Sequence, residues 1–381
     1  MADDWQAGGF GLYLHWPFCA AKCPYCDFNS HVSTSVDHAA WRSALVSEIT
    51  RIGQETQGRV LHSIFFGGGT PSLMEPKTVG AIMDTVQRTW PTANDLEVTL
   101  EANPTSVEAG KFADFRSAGI NRVSMGIQAL NDPDLRRLGR MHSAAEGLAA
   151  FDVARQTFDR VSFDLMYGRQ DQSLAQWEAE LNQALSLGLD HVSLYQLTVE
   201  PGTVFGDRYK VGKLRGLPDD DLSADMYALT QDICTTYGMA RYEVSNHAKD
   251  GCESRHNLIY WRYGDYVGIG PGAHGRLTIN GQRTATEQAR MPAAWLKGTN
   301  RETREALSGP DQAVEFLMMG LRVAGGIDTA RFEQLAGYPL PEHKITELVD
   351  MGLISQSDKN IRVTNQGFSL LNGVLRTLLA D

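Results

Sequence analysis

The sequence has no excess of basic charge and no long apolar run. Its 381 residues include 35 Lys or Arg against 46 Asp or Glu, a net charge of −11. Nucleic-acid backbones are gripped mainly by Lys and Arg that neutralise phosphates, so no nucleic-acid partner is expected. No stretch approaches the about 20 apolar residues of a membrane-crossing helix. The opening Met1-Ala2-Asp3-Asp4 lacks the basic and apolar regions of a secretory signal, which predicts a cytoplasmic protein. Loose, peripheral docking on a membrane surface stays open, and so does a homodimer. Cysteine is scarce, with five in the chain. Cys19, Cys23 and Cys26 crowd into one short stretch, while Cys234 and Cys252 lie far downstream. An odd count with three together, in a chain without an export signal, argues against a disulfide framework and for metal or redox chemistry.

What is present is an ordinary globular composition, 42% hydrophobic and 21% charged. The first two-thirds alternates short β-branched runs with amphipathic stretches. Strands are expected at Leu12–His15, Ser63–Phe66, Leu96–Glu101, Arg122–Gly126, Arg160–Leu165 and His191–Gln196. Helices are expected at Ala39–Glu55, Pro76–Thr89, Val107–Ala118, Pro133–Gln156 and Ser173–Leu187. This alternation marks βαβ units and a parallel sheet. Spacing alone permits a doubly wound open sheet. The polar residues tip the balance, because each candidate strand ends in chemistry: the cysteine loop, Gly67 to Pro71, Glu101, Gln128, Asp164 and Gln196. Barrels collect active-site residues from the carboxyl ends of several strands. The expected class is therefore α/β, a partial (β/α)6 barrel, followed by a loop-rich extension in which Gly264–Gly272 reads as tight loops. Ser308-Gly309-Pro310 reads as a boundary. Beyond it, helices at Asp311–Arg322, Thr329–Leu335 and Glu342–Asp350 and a hairpin around Leu353–Val363 suggest a small α+β, winged-helix-like domain. The expected division is 1–305 and 306–381. Without a basic stripe, the second part reads as a packing or lid domain.

Thiolates are the ligands of choice for iron–sulfur clusters, and a CxxxCxxC loop can hold three corners of a cubane. The fourth iron then stays open to a small chelating molecule, as in a catalytic metal site. A zinc site completed by His15 or His31 is the other reading. The loop Cys19, Cys23, Cys26 after a first strand resembles that of the radical S-adenosylmethionine (SAM) superfamily. Further segments resemble anaerobic coproporphyrinogen III oxidase and its relatives: Tyr13 to Cys19, Phe66 to Ser72, Glu101 to Pro104, Gly126 to Gln128, Arg140, and Asp164 to Gly168. The resemblance implies a radical SAM barrel in which a [4Fe-4S] cluster on Cys19, Cys23 and Cys26 reduces the sulfonium of SAM and releases a 5′-deoxyadenosyl radical. It implies a SAM site of Tyr13, Tyr25, Gly68, Gly69, Thr70, Glu101, Gln128, Arg140 and Asp164. Chemistry agrees: the glycines permit close backbone approach, Arg140 suits a carboxylate, and Glu101 and Asp164 suit ribose hydroxyls.

Two departures speak against the decarboxylating oxidase. That enzyme has a further cysteine two positions after its third ligand, where this chain has Phe28, and a longer leading segment, where this chain has 18 residues before Cys19. Instead, His256-Asn257 and Tyr260-Trp261 resemble the HNxxYW motif of haem chaperones in this family. That resemblance implies a protein that binds haem and delivers it to apoproteins, respiratory ones foremost, while retaining its cluster and SAM. His256, Asn257 and Tyr260 would serve the haem, with His256 as an axial ligand. A histidine hydrogen-bonded in a structural turn is the plainer reading of His256. Cys252 is a competing soft ligand. Oxidative decarboxylation of coproporphyrinogen III, and another radical reaction on a tetrapyrrole, are the alternative functions.

Overall fold

The computed structural model describes residues 4–33 and 35–379; Met1, Ala2 and Asp3 of the opening segment lie outside them. Six strands, β1 (Phe10–Trp16), β2 (Leu61–Gly68), β3 (Thr92–Ala102), β4 (Arg122–Gln128), β5 (Arg160–Tyr167) and β6 (His191–Gln196), lie side by side in chain order. Each consecutive pair is parallel. Helices cover the outer face, so alternate residues such as Leu12, Ile64, Leu100, Val123 and Phe163 are buried against them, each with no exposed surface. The opposite face is polar, carrying Ser63, Thr99, Arg122, Ser162 and His191 into the barrel interior.

Three expectations need correction. Gly264–Gly272 is not a run of tight loops. Asp265–Ile269 forms a seventh parallel strand, β7, beside β1, buried along its whole length. Its glycines serve the sheet: a Cβ at Gly268 would come within 2.1 Å of the His274 carbonyl. Three antiparallel strands, His274–Ile279, Gln282–Gln288 and Glu302–Ala306, continue outward from β7, and two more, Asn246–Ala248 and Ala240–Arg241, extend the other edge beyond β6, making one mixed sheet of 12 strands. The helix expected over Val107–Ala118 is split into Ser106–Ala109 and Phe112–Ser117 by Gly110. The helix expected over Pro133–Gln156 is also two, Asp132–Arg137 and Ala144–Thr157. Between them Gly139 turns at φ +68° against Pro24 of the cysteine loop, and the Ser143–Glu146 capping box restarts the helix. Arg140 stands in this break.

Past residue 306, helices Gly309–Gly320, Thr329–Ala336 and Glu342–Asp350 surround a small sheet of Ile327–Asp328, Ile354–Ser357 and Asn360–Val363. They bury their own core, including Phe316, Leu317, Phe332, Leu348, Ile361 and Leu375. One member comes from before the expected boundary: Tyr263, whose hydroxyl donates to Glu315 at 2.8 Å. Among the described residues no helix is long and apolar enough to cross a membrane.

Candidate functional site

At the carboxyl ends of the strands lies a cavity of about 350 Å³. Cys19, Cys23 and Cys26 line it, together with Tyr25, Gly68, Gly69, Thr70, Glu101, Gln128, Arg140 and Asp164. The three thiols come from a single loop, and burial pushes those of Cys19 and Cys26 up. Among the described residues no three His, Cys, Asp or Glu side chains close on a single ion. A cubane asks for something else, one thiolate per iron on separate corners, which the loop can provide. Of the donors in the zinc alternative, His15 has both ring nitrogens engaged, by the Tyr13 hydroxyl (3.0 Å) and the Asn29 carbonyl (2.9 Å), while His31 engages one, with the Asn29 side chain (3.2 Å).

Arg140 reaches the pocket because of the helix break. Its guanidinium donates to Asn103 Oδ1 at 2.7 Å, to the Gly126 carbonyl at 2.8 Å and to Cys23 Sγ at 3.4 Å. Its Nε is buried without a partner, and so is Gln128 Oε1. Unmet buried polar atoms facing a cavity mark places where a polar ligand is accommodated. Gln128 is itself held at φ +69°, where the ladder to β5 shifts register. Asn103 also donates to Thr70 Oγ1 at 3.2 Å, linking two strand ends. Sequence reasoning did not assign Asn103; its place two residues after Glu101 at a strand end was the available signal. Ser124, which donates to Asp164 at 3.2 Å, was missed for lack of any motif.

The two glycines that line the cavity also make room within the protein. A Cβ on Gly69 would meet the Phe18 backbone at 2.7 Å, and one on Gly68 would meet the His15 ring at 2.7 Å. Their clearance is needed by the cysteine loop and by β1, whatever approaches from the cavity. Tyr13 does not line the cavity. It sits beneath it, bonded to His15 and stacked on Phe65.

Glu101 and Asp164 face one another across the wall. Burial pushes the Glu101 carboxyl up to about 8, Asp164 adding repulsion, and burial pushes Asp164 up to about 6. In the cofactor-free protein the native Glu101 therefore keeps its proton at pH values where the unfolded chain has lost it. Its contribution to stability is complete below about pH 4.5 and is lost as pH rises through about 8. Thermal midpoints of the wild type and Glu101→Gln should accordingly converge at low pH, with the wild type losing more as pH rises. Parallel curves across this range would show that Glu101 does not carry the shift.

The structure does not bring His256, Asn257 and Tyr260 to this cavity. They lie on the short helix Arg255–Trp261, which closes the opposite end of the barrel. Glu97 accepts from the backbone N–H groups of Arg255 (3.0 Å) and His256 (3.4 Å) and pairs with Arg160 (3.0 Å). His256 is 3% exposed, its Nδ1 is 2.8 Å from Ser63 Oγ, and its ring stacks on Phe65 at 5.0 Å. Asn257 donates to the Tyr242 hydroxyl at 3.4 Å, and Tyr260 stacks on Tyr266 at 4.0 Å. Nδ1 thus follows the plainer reading of His256, whereas its Nε2 is buried with no hydrogen-bond partner among the described residues.

Comparison with known proteins gives the same frame. The family model of the Radical SAM superfamily matches residues 13–184, and that of the HemN C-terminal domain matches residues 307–370. Heme chaperone HemW of Escherichia coli (strain K12) is 38% identical over 97% of this chain and 98% of its own length. Radical S-adenosyl methionine domain-containing protein 1, mitochondrial, of Bos taurus is 40% identical over 97% of this chain and 87% of its own. Among solved structures, coproporphyrinogen III oxidase (HemN) of Escherichia coli superposes with a TM-score of 0.81 at 22% identity, over 99% of this chain and 92% of that one, a likeness of fold. The chain belongs to the radical SAM superfamily, in the family of the haem chaperone HemW.

Proposed function

We propose that this protein binds haem and delivers it to apoproteins, with a [4Fe-4S] cluster and SAM seated in the strand-end cavity. Full-length kinship with haem chaperones, at 35–38% identity, carries the haem reading. Phe28 supports it against oxidase activity: it stands on the cavity rim where the oxidase pattern has a further cysteine, and is 61% exposed. Cys19, Cys23 and Cys26 would hold the cluster. Arg140 would receive the carboxylate of SAM, its Nε being free for a charge-assisted bond. Glu101 and Asp164 would accept from ribose hydroxyls, and Gln128 would supply its orphaned oxygen to a donor. Tyr25 closes the side of the cavity near Phe205, their rings 6.4 Å apart. When bound, the cluster and SAM supply reductive sulfonium chemistry to this cavity. Tyr13 acts from below by fixing His15. For His256, Asn257 and Tyr260 we propose a structural part, sealing the barrel floor.

We further propose the division 1–305 and 306–381, for which the C-terminal core speaks, with Tyr263 its one member from before the boundary, and a cytoplasmic setting, with which the net charge of −11 agrees. Respiratory apoproteins remain the proposed acceptors. The experiment is anaerobic incubation of reconstituted protein with haem and with coproporphyrinogen III separately. Bound haem that passes to a haem-free acceptor, with no protoporphyrinogen IX formed, is the expected result. Catalytic conversion of coproporphyrinogen III, with haem ignored, would overturn it.

A further inference from the structure

We propose that haem docks on the outer face of residues 204–215, beside the mouth of the cavity, with its propionates on the cations of that segment. This rests on the haem-binding reading above. The segment begins with the helix Val204–Lys210. Phe205 and Leu214 point inward, 1% and 6% exposed, into a small cluster with Leu135, Leu138 and Leu197. Tyr209 and Val211 are left outside, 58% and 65% exposed. A segment with anchors of its own leaves large apolar side chains in water only at some cost, and such patches mark binding surfaces.

Charge makes the patch specific. Arg208, Lys210, Lys213 and Arg215 stand exposed within eight residues of a chain whose net charge is −11. Among the described residues none of them pairs with a carboxylate; the nearby acids Asp134 and Asp171 are taken by Arg169 and Arg137, and Asp207, exposed in the same helix, leaves the segment with four cations to one acid. Haem is a flat apolar plate with two carboxylates on one edge, so an apolar face bordered by unpaired cations matches both of its parts.

The face is also held in place. The Phe205 N–H donates to the Pro24 carbonyl at 2.8 Å, tying one end to the cysteine loop. At the other end Gln170 donates to the Arg215 carbonyl at 2.7 Å and the Asp171 N–H to the Gly216 carbonyl at 2.6 Å. Glu200, which leads into the segment, lines the cavity. Residues 204–215 contain no His, Cys or Met. Tyr209 is then the one side chain of the segment able to ligate iron, and haem gripped mainly by its plate and propionates keeps an axial position open for an acceptor's own ligand.

The test is titration of haem into four proteins: wild type, Lys210→Glu/Lys213→Glu, Tyr209→Ser/Val211→Ser, and His256→Ala. Cluster iron content serves as the control that each is folded. Both double variants should raise the haem Kd by about tenfold or more. The dimethyl ester of haem should bind the wild type as weakly as haem binds the charge variant, and metal-free protoporphyrin IX should bind the wild type nearly as well as haem. An unchanged haem Kd in both double variants overturns the location. So does a Soret shift or lost binding confined to His256→Ala, which returns the haem to the barrel floor. Loss of binding only to anionic phospholipid vesicles in the charge variant, with haem unaffected, overturns it in favour of a lipid surface. If the wild type binds no haem at all, the proposed function itself falls; failure of the variants alone leaves it standing.

Discussion

Replacing Cys19, Cys23 and Cys26 together by alanine is expected to bring iron and acid-labile sulfide to background after anaerobic reconstitution, against about four irons per chain in the wild type. The reason lies in the loop. All three thiols line one cavity, and His15 is engaged elsewhere through both ring nitrogens. Each thiolate holds one corner, so single variants should also lose most of the cluster. Cys234→Ala and Cys252→Ala serve as controls. Cys234 is fully buried, with its thiol pushed up to about 12 by that burial, and Cys252 lies near the barrel floor beside Arg160. Full iron and sulfide in the triple variant would show that the cluster assignment is wrong.

The largest effect on stability is expected at Asp265, the first residue of β7. Its carboxylate is wholly buried and accepts from Arg59 at 2.6 Å, from the Thr278 N–H at 2.5 Å and from the Thr278 hydroxyl at 3.0 Å. Arg283, itself 2% exposed, lies 3.6 Å away and donates to the carbonyls of Tyr263 and Gly264. Asp265→Ala would leave two guanidinium groups crowded in a buried site with only Asp4, 3.8 Å from Arg283, to answer them. Breaking a buried pair in this way costs about 3–5 kcal/mol, chiefly because the surviving charge stays buried. The urea midpoint for loss of helical signal should fall markedly, while Glu305→Ala, on an exposed edge strand, should leave it in place. An unmoved midpoint in Asp265→Ala would mean that water reaches and screens these cations.

How far the fold could be read from residues depended on what each pattern records. The six strands announced themselves because strands of a parallel sheet are short apolar runs set between amphipathic helices. The cysteine loop and the strand-end carboxylates were legible for a similar reason, since barrel architecture dictates which ends carry polar groups. β7 escaped because four glycines in nine residues read as turns, whereas Gly268 answers to a neighbouring backbone that no local pattern contains. The break at Arg140 escaped because helical periodicity runs through it. What interrupts it is contact between Gly139 and Pro24, more than a hundred residues apart. The HNxxYW residues were found as a motif, but a motif names residues and not the end of the barrel at which they stand.

Tyr263 has a consequence for how such a chain can be rearranged. It follows directly on the helix that stops the barrel floor, yet its ring belongs to the C-terminal core, and Arg331 reaches back from that core to the carbonyls of Arg262 and Tyr263. Gly320 lies against the Ile327 side chain and close to the Trp261 carbonyl. The C-terminal part is therefore not a detachable cassette. Cut or spliced at residue 306, each piece would carry half of one hydrophobic seam, and a foreign module grafted there would have to bring its own socket for a tyrosine it did not encode.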